Sequence, residues 1–477
     1  MRVQPVNVLS QDELEQIYEG SLEVLERAGV SVELEPVLKL LKDAGAIVDQ
    51  EKKIARLPRS LVEDCLKCVP RTFKLKSRNM EKIVGSEETI WGLLCGPTII
   101  DPYTGEPRDT TYKDVGDWAR MADALENVSF VTPAMATDKP FQISDRYEFE
   151  AMINNTGKLI QPNLYSAEGC EDVYEMACIA AGGEEEFKKA PCFVGGGCVV
   201  SPLQQTAMAL GAWLSLLPKG VPSIIVTEPI SGATTPVTMA GCFVVAFADI
   251  LSGVVITQLI KKNSPIMWSI GLGHVMDMQK LVGLTGAAEK FFFLSANEQM
   301  SKFLGIPSWT GTASDSKCLD TQAGYEQALG FLAIQLCQAD FVMGVGQTLA
   351  AKGISFEQAV FENELISMVK RIQRGVEVNK DTLAVDLICE RGPGADFLAS
   401  RHTLKYYRTE YQRAEISNRD SISVWKEKGS KDLATVANEK AREILENHRP
   451  DPLPDKVREE IHAVVKRAEK RLNKKHF

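Results

Sequence analysis

Ile306-Pro-Ser-Trp-Thr-Gly-Thr-Ala-Ser-Asp-Ser-Lys-Cys-Leu-Asp-Thr-Gln-Ala-Gly-Tyr-Glu326 reads as the end of a buried strand, a polar loop and a helix start. In an eight-stranded α/β barrel that junction is where chemistry is done, because the loops after the strands surround the mouth. Trp309, Asp315 and Lys317 of this stretch are therefore candidate site residues. Outward from it the same unit repeats. Apolar runs at Phe130–Met135, Leu159–Tyr165, Cys192–Val200, Ser223–Glu228, Ile266–Leu272, Pro307–Gly311 and Phe341–Val345 alternate with helical patterns. A further run at Phe356–Phe361 supplies an eighth strand, although Ser355–Arg374 also reads as one helix. Strands alternating with helices imply parallel pairing and right-handed crossovers, and eight units close a ring. The expected class is α/β, a (β/α)8 TIM barrel over 127–391.

Before it, 1–126 reads as a helical and hairpin cap. Leu14, Ile17, Tyr18, Leu22 and Leu25 recur at helical spacing behind a capping box of Ser10 and Glu13. Pro36 and Pro58 open two shorter helices, and Asp101-Pro-Tyr-Thr-Gly105 is a turn inside short strands between Phe73 and Arg108. After it, Gly392-Pro-Gly394 breaks the chain, and 392–477 reads as a helical extension.

The chain has 477 residues, 44% of them hydrophobic, and a formal charge of −10. That length exceeds the roughly 250 residues one barrel needs, so the cap and extension account for the rest. The acidic balance argues against nucleic acid or an anionic membrane surface as partner, since both call for a basic face. Eleven cysteines without a spaced framework suggest reduced thiols and a cytoplasmic setting, and the amino terminus carries no signal-peptide pattern. Met239–Ile260 is nearly long enough to span a bilayer, but Asp249 near its centre favours a buried helix of the barrel.

Several motifs have two readings. Gly195-Gly-Gly197 follows a strand like a phosphate loop but lacks a dinucleotide fingerprint or a Walker lysine, which favours a close-packed turn. Cys65 and Cys68 have metal spacing with no second pair nearby, and three of the five histidines (His448, His462, His476) lie in the tail, so no metal site is expected. Glu228 and His274 end two strands; a carboxylate at such depth is costly unless paired or facing a cation, and a histidine there can hold a bound carboxylate. Trp268, Trp309, Tyr165 and Phe361 are candidates either for core packing or for an aromatic cage around a quaternary ammonium ion.

Pro229-Ile-Ser-Gly-Ala-Thr-Thr-Pro-Val-Thr-Met-Ala-Gly241, Asp315-Ser-Lys-Cys-Leu-Asp-Thr-Gln-Ala-Gly-Tyr-Glu326, Gly392-Pro-Gly-Ala-Asp-Phe-Leu398, His402-Thr403 and Trp425-Lys-Glu-Lys-Gly429 stand in this order. Together they resemble the trimethylamine:corrinoid methyltransferase superfamily. The resemblance implies a barrel that moves a methyl group from a methylamine to the cobalt of a corrinoid on a separate corrinoid protein, in a homo-oligomer. Its archetypes carry pyrrolysine. This chain has only standard residues and so resembles the non-pyrrolysine branch, whose substrates are quaternary amines such as glycine betaine, proline betaine, carnitine and γ-butyrobetaine.

A quaternary ammonium leaves as a neutral amine and needs no general acid, so the protein's expected tasks are positioning and exclusion of water. By strand position, Trp268, Trp309 and Tyr165 are expected at the cationic head with Glu228 or Asp315, and Lys317 and His274 at a carboxylate tail. The competing readings are a trimethylamine demethylase of the same family, a Schiff-base aldolase using Lys317, and a betaine-binding module without activity.

Overall fold

The computed structural model describes residues 3–475, so His476 of the tail lies outside the described residues. Eight short strands among them run parallel and hydrogen-bond in chain order around a closed ring. They are β1 (Ile90–Leu93), β2 (Val128–Val131), β3 (Leu159–Ile160), β4 (Gly195–Val199), β5 (Ser223–Thr227), β6 (Ile266–Ser269), β7 (Trp309–Gly311) and β8 (Phe341–Val345). Backbone bonds link β8 to β1, β1 to β2 and β2 to β3, then β4 to β5, β5 to β6 and β7 to β8. Single bridges at Ile160–Phe193 and Trp268–Ser308 close the two remaining gaps.

Side chains alternate across a strand, so each strand sends one residue into the ring at a given depth. Ile90, Phe130, Leu159, Val194, Ile224, Met267, Trp309 and Phe341, one from each of the eight strands or the residue just before it, form a single buried cluster inside the ring. Leu75 and Val84 join this layer from the antiparallel hairpin Phe73–Lys76 and Glu81–Val84, and so close the ring's amino end.

Seven of the eight strands fall on the apolar runs of the sequence, and the eighth does not. Phe356–Arg374 is a helix, capped by the Ser355 hydroxyl, which accepts from the Gln358 N–H. The remaining strand is Ile90-Trp-Gly-Leu93, inside the segment read as a cap. The barrel boundary expected at 127 is corrected accordingly, since the ring begins at Ile90 and its last packed helix ends at Arg374. Phe361 moves with this correction. It sits on the helix, partly buried in the helix layer, and not on a strand end.

Met239–Ile260 forms one helix, long and apolar enough to cross a membrane, whose central residues are buried within the fold. Its apolar character on all sides has a packing cause. One side meets the strands through Phe247, which contacts Trp268, and the other meets Gln11–Arg27 and Arg59–Leu66, so that Leu14, Leu22, Val62 and Val254 share one core. The amino-terminal helices thus cover the ring. Leu433–Asn447 packs on Phe356–Arg374, and Asp455–Lys475 packs on Ala167–Ala181, which places Ala437, Ala441, Ile461 and Val464 in the ring's second core. Between them, the helical segments of 380–427 contribute no buried residues.

Candidate functional site at the carboxyl end of the ring

The carboxyl end of the ring has two unlike halves. Beyond β1, β6 and β7, Leu94, Leu272 and Ala313 pack together as a small buried cluster against Met343 of β8. Gly311 makes this possible, since a Cβ there would lie 2.4 Å from Leu272. Beyond β3, β4 and β5 the ring stays open. Inward positions Gln161, Gly196, Cys198, Val226 and Glu228 keep partial exposure, whereas their outward neighbours Gly195, Gly197, Val199, Ile225 and Thr227 are buried.

The glycines of β4 explain the opening. They are not a turn, as the sequence suggested, but the strand itself. Cβ atoms at Gly195 and Gly197 would meet Leu216 and Trp213 at 2.9 and 2.5 Å, so these two let the helix Ala207–Leu216 approach. At inward-facing Gly196 a Cβ would meet nothing nearer than 3.9 Å, which leaves a cleft between β3 and β5. Two strand spacings put the β3 and β5 backbones about 9–10 Å apart.

One wall of the cleft rises along the extension of β3. Gln161 accepts from the Trp309 indole N–H at 3.1 Å, which fixes that tryptophan at the floor. Above it Asn163 reaches Glu148, with Nδ2 3.5 Å from the carboxyl. Higher still, Tyr165 stacks tilted on exposed Phe141, with ring centroids 4.7 Å apart. The Tyr165 hydroxyl is buried beside the Asn163 amide, and its hydrogen has no acceptor among the described residues. Glu148 comes from the helix Ser144–Asn155 and is 1% exposed. Its other oxygen accepts from the Ala136 N–H at 3.0 Å, and burial raises its pKa to about 8. Cys95, between Glu148 and Glu228, is held as a neutral thiol, its pKa raised to about 11 by burial and then by Glu148.

Glu228 forms the opposite wall. Its Oε2 accepts from the Leu272 N–H at 3.1 Å and from His274 Nε2 at 3.0 Å. Because a carboxylate only accepts, His274 carries its hydrogen on Nε2. Gly271 leaves the space, since a Cβ at that position, with φ +70°, would fall 2.2 Å from the Glu228 carboxylate.

The structure brings together Tyr165, Glu228, His274 and, at the floor, Trp309, and separates the other candidates. Trp268 pairs in register with Ile225, points outward and packs on Phe247 at 5.4 Å, so it belongs to the helix layer. Asp315 is occupied by the backbone, accepting from Thr285 N and Gly286 N, both at 2.9 Å. Lys317 is exposed and donates to the Asp315 carbonyl, so it lies in solvent and not in a closed pocket of the kind a Schiff-base lysine occupies. His274 is paired with Glu228 at 3.0 Å, on the wall opposite Asn163 and Tyr165.

Sequence reasoning missed Glu148, Asn163 and Gln161. It also missed Lys290, which is buried with its pKa lowered to about 7 by desolvation and donates to Thr312 Oγ1 at 2.9 Å and the Ala313 carbonyl at 2.7 Å. This lysine lies behind β7 and props the packed half. Among the described residues no group of three or more His, Cys, Asp or Glu is arranged to hold a metal ion.

A trimethylamine methyltransferase (MTTB) family model matches residues 1–473. The chain belongs to the trimethylamine methyltransferase family. Its relatives include trimethylamine methyltransferase MttB of Desulfitobacterium hafniense, 31% identical over 96% of this chain and 93% of the relative. A glycine betaine methyltransferase from another strain of that species is 30% identical over 96% of each chain. The α/β fold is that of the Methanosarcina barkeri monomethylamine methyltransferase crystal structure, with a TM-score of 0.51 at 14% identity over 94% of this chain and 96% of that one. The family makes the chain a methyltransferase.

Proposed function

We propose that this chain is a (β/α)8-barrel methyltransferase that takes a methyl group from a quaternary amine of the betaine type and passes it to a corrinoid on a separate protein. The observation that carries the reading is the half-open mouth, where a carboxylate, Glu228, faces a cleft floored by an indole and cleared by Gly196. A cation without N–H groups cannot be held by donated hydrogen bonds, so charge and aromatic faces must hold it.

The reduced corrinoid supplies the Co(I) nucleophile when its carrier protein docks. The residues here bind and orient. Glu228, steadied by His274 and the Leu272 N–H, draws the ammonium to one wall and leaves its free methyl toward the opening. When the N–CH3 bond breaks, the electron pair stays on nitrogen, so no residue has to donate a proton. Val200, Val237, Met278, Leu281 and Val282 are exposed apolar side chains on the segments that follow β4, β5 and β6. Exposed apolar clusters of this kind suit protein docking, and these lie beside the cleft the corrinoid must reach.

The test is to mix the chain with a reduced corrinoid protein and glycine betaine, proline betaine, carnitine, γ-butyrobetaine or trimethylamine in turn. Loss of the Co(I) absorption with release of the tertiary amine is expected for at least one quaternary amine. Turnover of trimethylamine alone, the substrate named for several relatives, refutes the betaine reading, and silence with all five refutes methyl transfer from these amines.

A further inference from the structure

The cleft is polarised across its width. The β5 wall carries a carboxylate. The β3 wall offers neutral donors: the Asn163 amide, which lies between the Glu148 carboxyl and the Tyr165 hydroxyl, and that hydroxyl itself, buried and with no acceptor for its hydrogen among the described residues. A buried hydroxyl without an acceptor is costly, and a ligand acceptor at that point removes the cost. We propose that Asn163 and Tyr165 form a subsite for the anionic tail of a zwitterionic substrate, with Glu148 behind them as a positioning residue, so that the substrate spans the cleft with its ammonium at Glu228. The inference rests on the methyl-transfer reading and adds which wall takes which end.

Glu148 at first sight argues against an anionic tail beside it. Its surroundings remove the objection. It forms no ion pair among the described residues and is buried, so at neutral pH the proton stays on and the group adds no negative charge. The groups facing it are Asp145 on its own helix, whose pKa burial raises and whose charge is paired with Arg146 at 2.8 Å; Cys95 after β1; and Asn163 and Tyr165 after β3. The Cys95 thiol and the Tyr165 phenol are both raised by burial and stay protonated while Glu148 titrates. The anion would therefore meet only neutral donors, and above the Glu148 titration it would meet a second carboxylate.

Isothermal titration of the purified full chain with glycine betaine and, separately, tetramethylammonium tests this without a corrinoid partner. Glycine betaine is expected to bind more tightly to the wild type. Tyr165→Phe, which keeps the ring, is expected to weaken glycine betaine about tenfold, the effect of a lost hydrogen bond to a charged group, and to leave tetramethylammonium within about twofold. Raising the pH through about 8 is expected to weaken glycine betaine only, and Glu148→Gln to abolish that dependence. Equal binding of the two ligands by the wild type, including no binding of either, overturns the subsite, as does a Tyr165→Phe effect shared by both or absent from both. Transfer of a methyl group from a quaternary cation without a carboxylate would then leave the methyl-transfer reading standing, whereas betaine-selective binding without transfer would sink that reading and keep the subsite.

Discussion

The half of the ring's mouth over β1, β6, β7 and β8 is filled by Leu94, Leu272 and Ala313, while the half over β3, β4 and β5 is left open above Gly196. Both halves use glycine, to opposite ends. Gly311 admits a neighbour's side chain, and Gly196 admits nothing from the chain, so its space remains for a ligand. The polar groups divide the same way: Glu228, His274, Asn163 and Tyr165 line the open half, and Lys290 is buried behind the packed one. Rigidity on one side holds the geometry that the other side uses.

Changes on the open side should cost function and changes on the packed side should cost stability. Glu228→Gln keeps the shape and removes the charge; kcat/KM for the quaternary amine is expected to fall by about two to three orders of magnitude, as for a charge pair that substrate binding closes off from water, worth ~2–5 kcal/mol, with the melting temperature little changed. A fall of less than about threefold would remove Glu228 from the site. Leu94→Ala should do the reverse, destabilising by about 2–5 kcal/mol in urea titration with a smaller effect on KM; unchanged stability would mean the half is not packed. Gly271→Ala, which drives a methyl into Glu228, is expected to reduce kcat/KM about tenfold to a hundredfold and to cost ~1–2 kcal/mol of backbone strain. Gly271→Ala with wild-type kinetics would show that the Glu228 position is unimportant.

The smallest expected effect is on pH. Glu148 and Glu362 are raised to about 8, and Asp249 and Glu298 to about 7, in each case first by burial. A carboxyl whose folded pKa lies above its unfolded value contributes stability that is complete below the unfolded value and is lost as pH rises through the folded one. The melting temperature should therefore decline from about pH 5 to 8, and Glu148→Gln should flatten the decline. Parallel curves for the two proteins would contradict a buried, protonated Glu148.

Seven strands were legible because each is an apolar run bounded by polar loops. Ile90–Leu93 was not, being four residues long among turn signals, and Phe356–Phe361 misled because Phe356, Val360 and Phe361 fit either period until the Ser355 cap starts a helix. Glu228 and His274 were found because they end strands. Trp268 failed on register: Met267 faces in, so its neighbour must face out, and only the pairing of Ile225 with Trp268 fixes that parity. Glu148 gave no local signal, since it sits on a helix and reaches the cleft only through the packing of that helix on the loop carrying Ala136.

A crystal structure with bound glycine betaine examines the central claim most directly. Ligand density above Gly196, with the trimethylammonium at Glu228 and the carboxylate at Asn163 and Tyr165, is the predicted result. Density over Leu94 and Leu272, or outside the ring altogether, would contradict it.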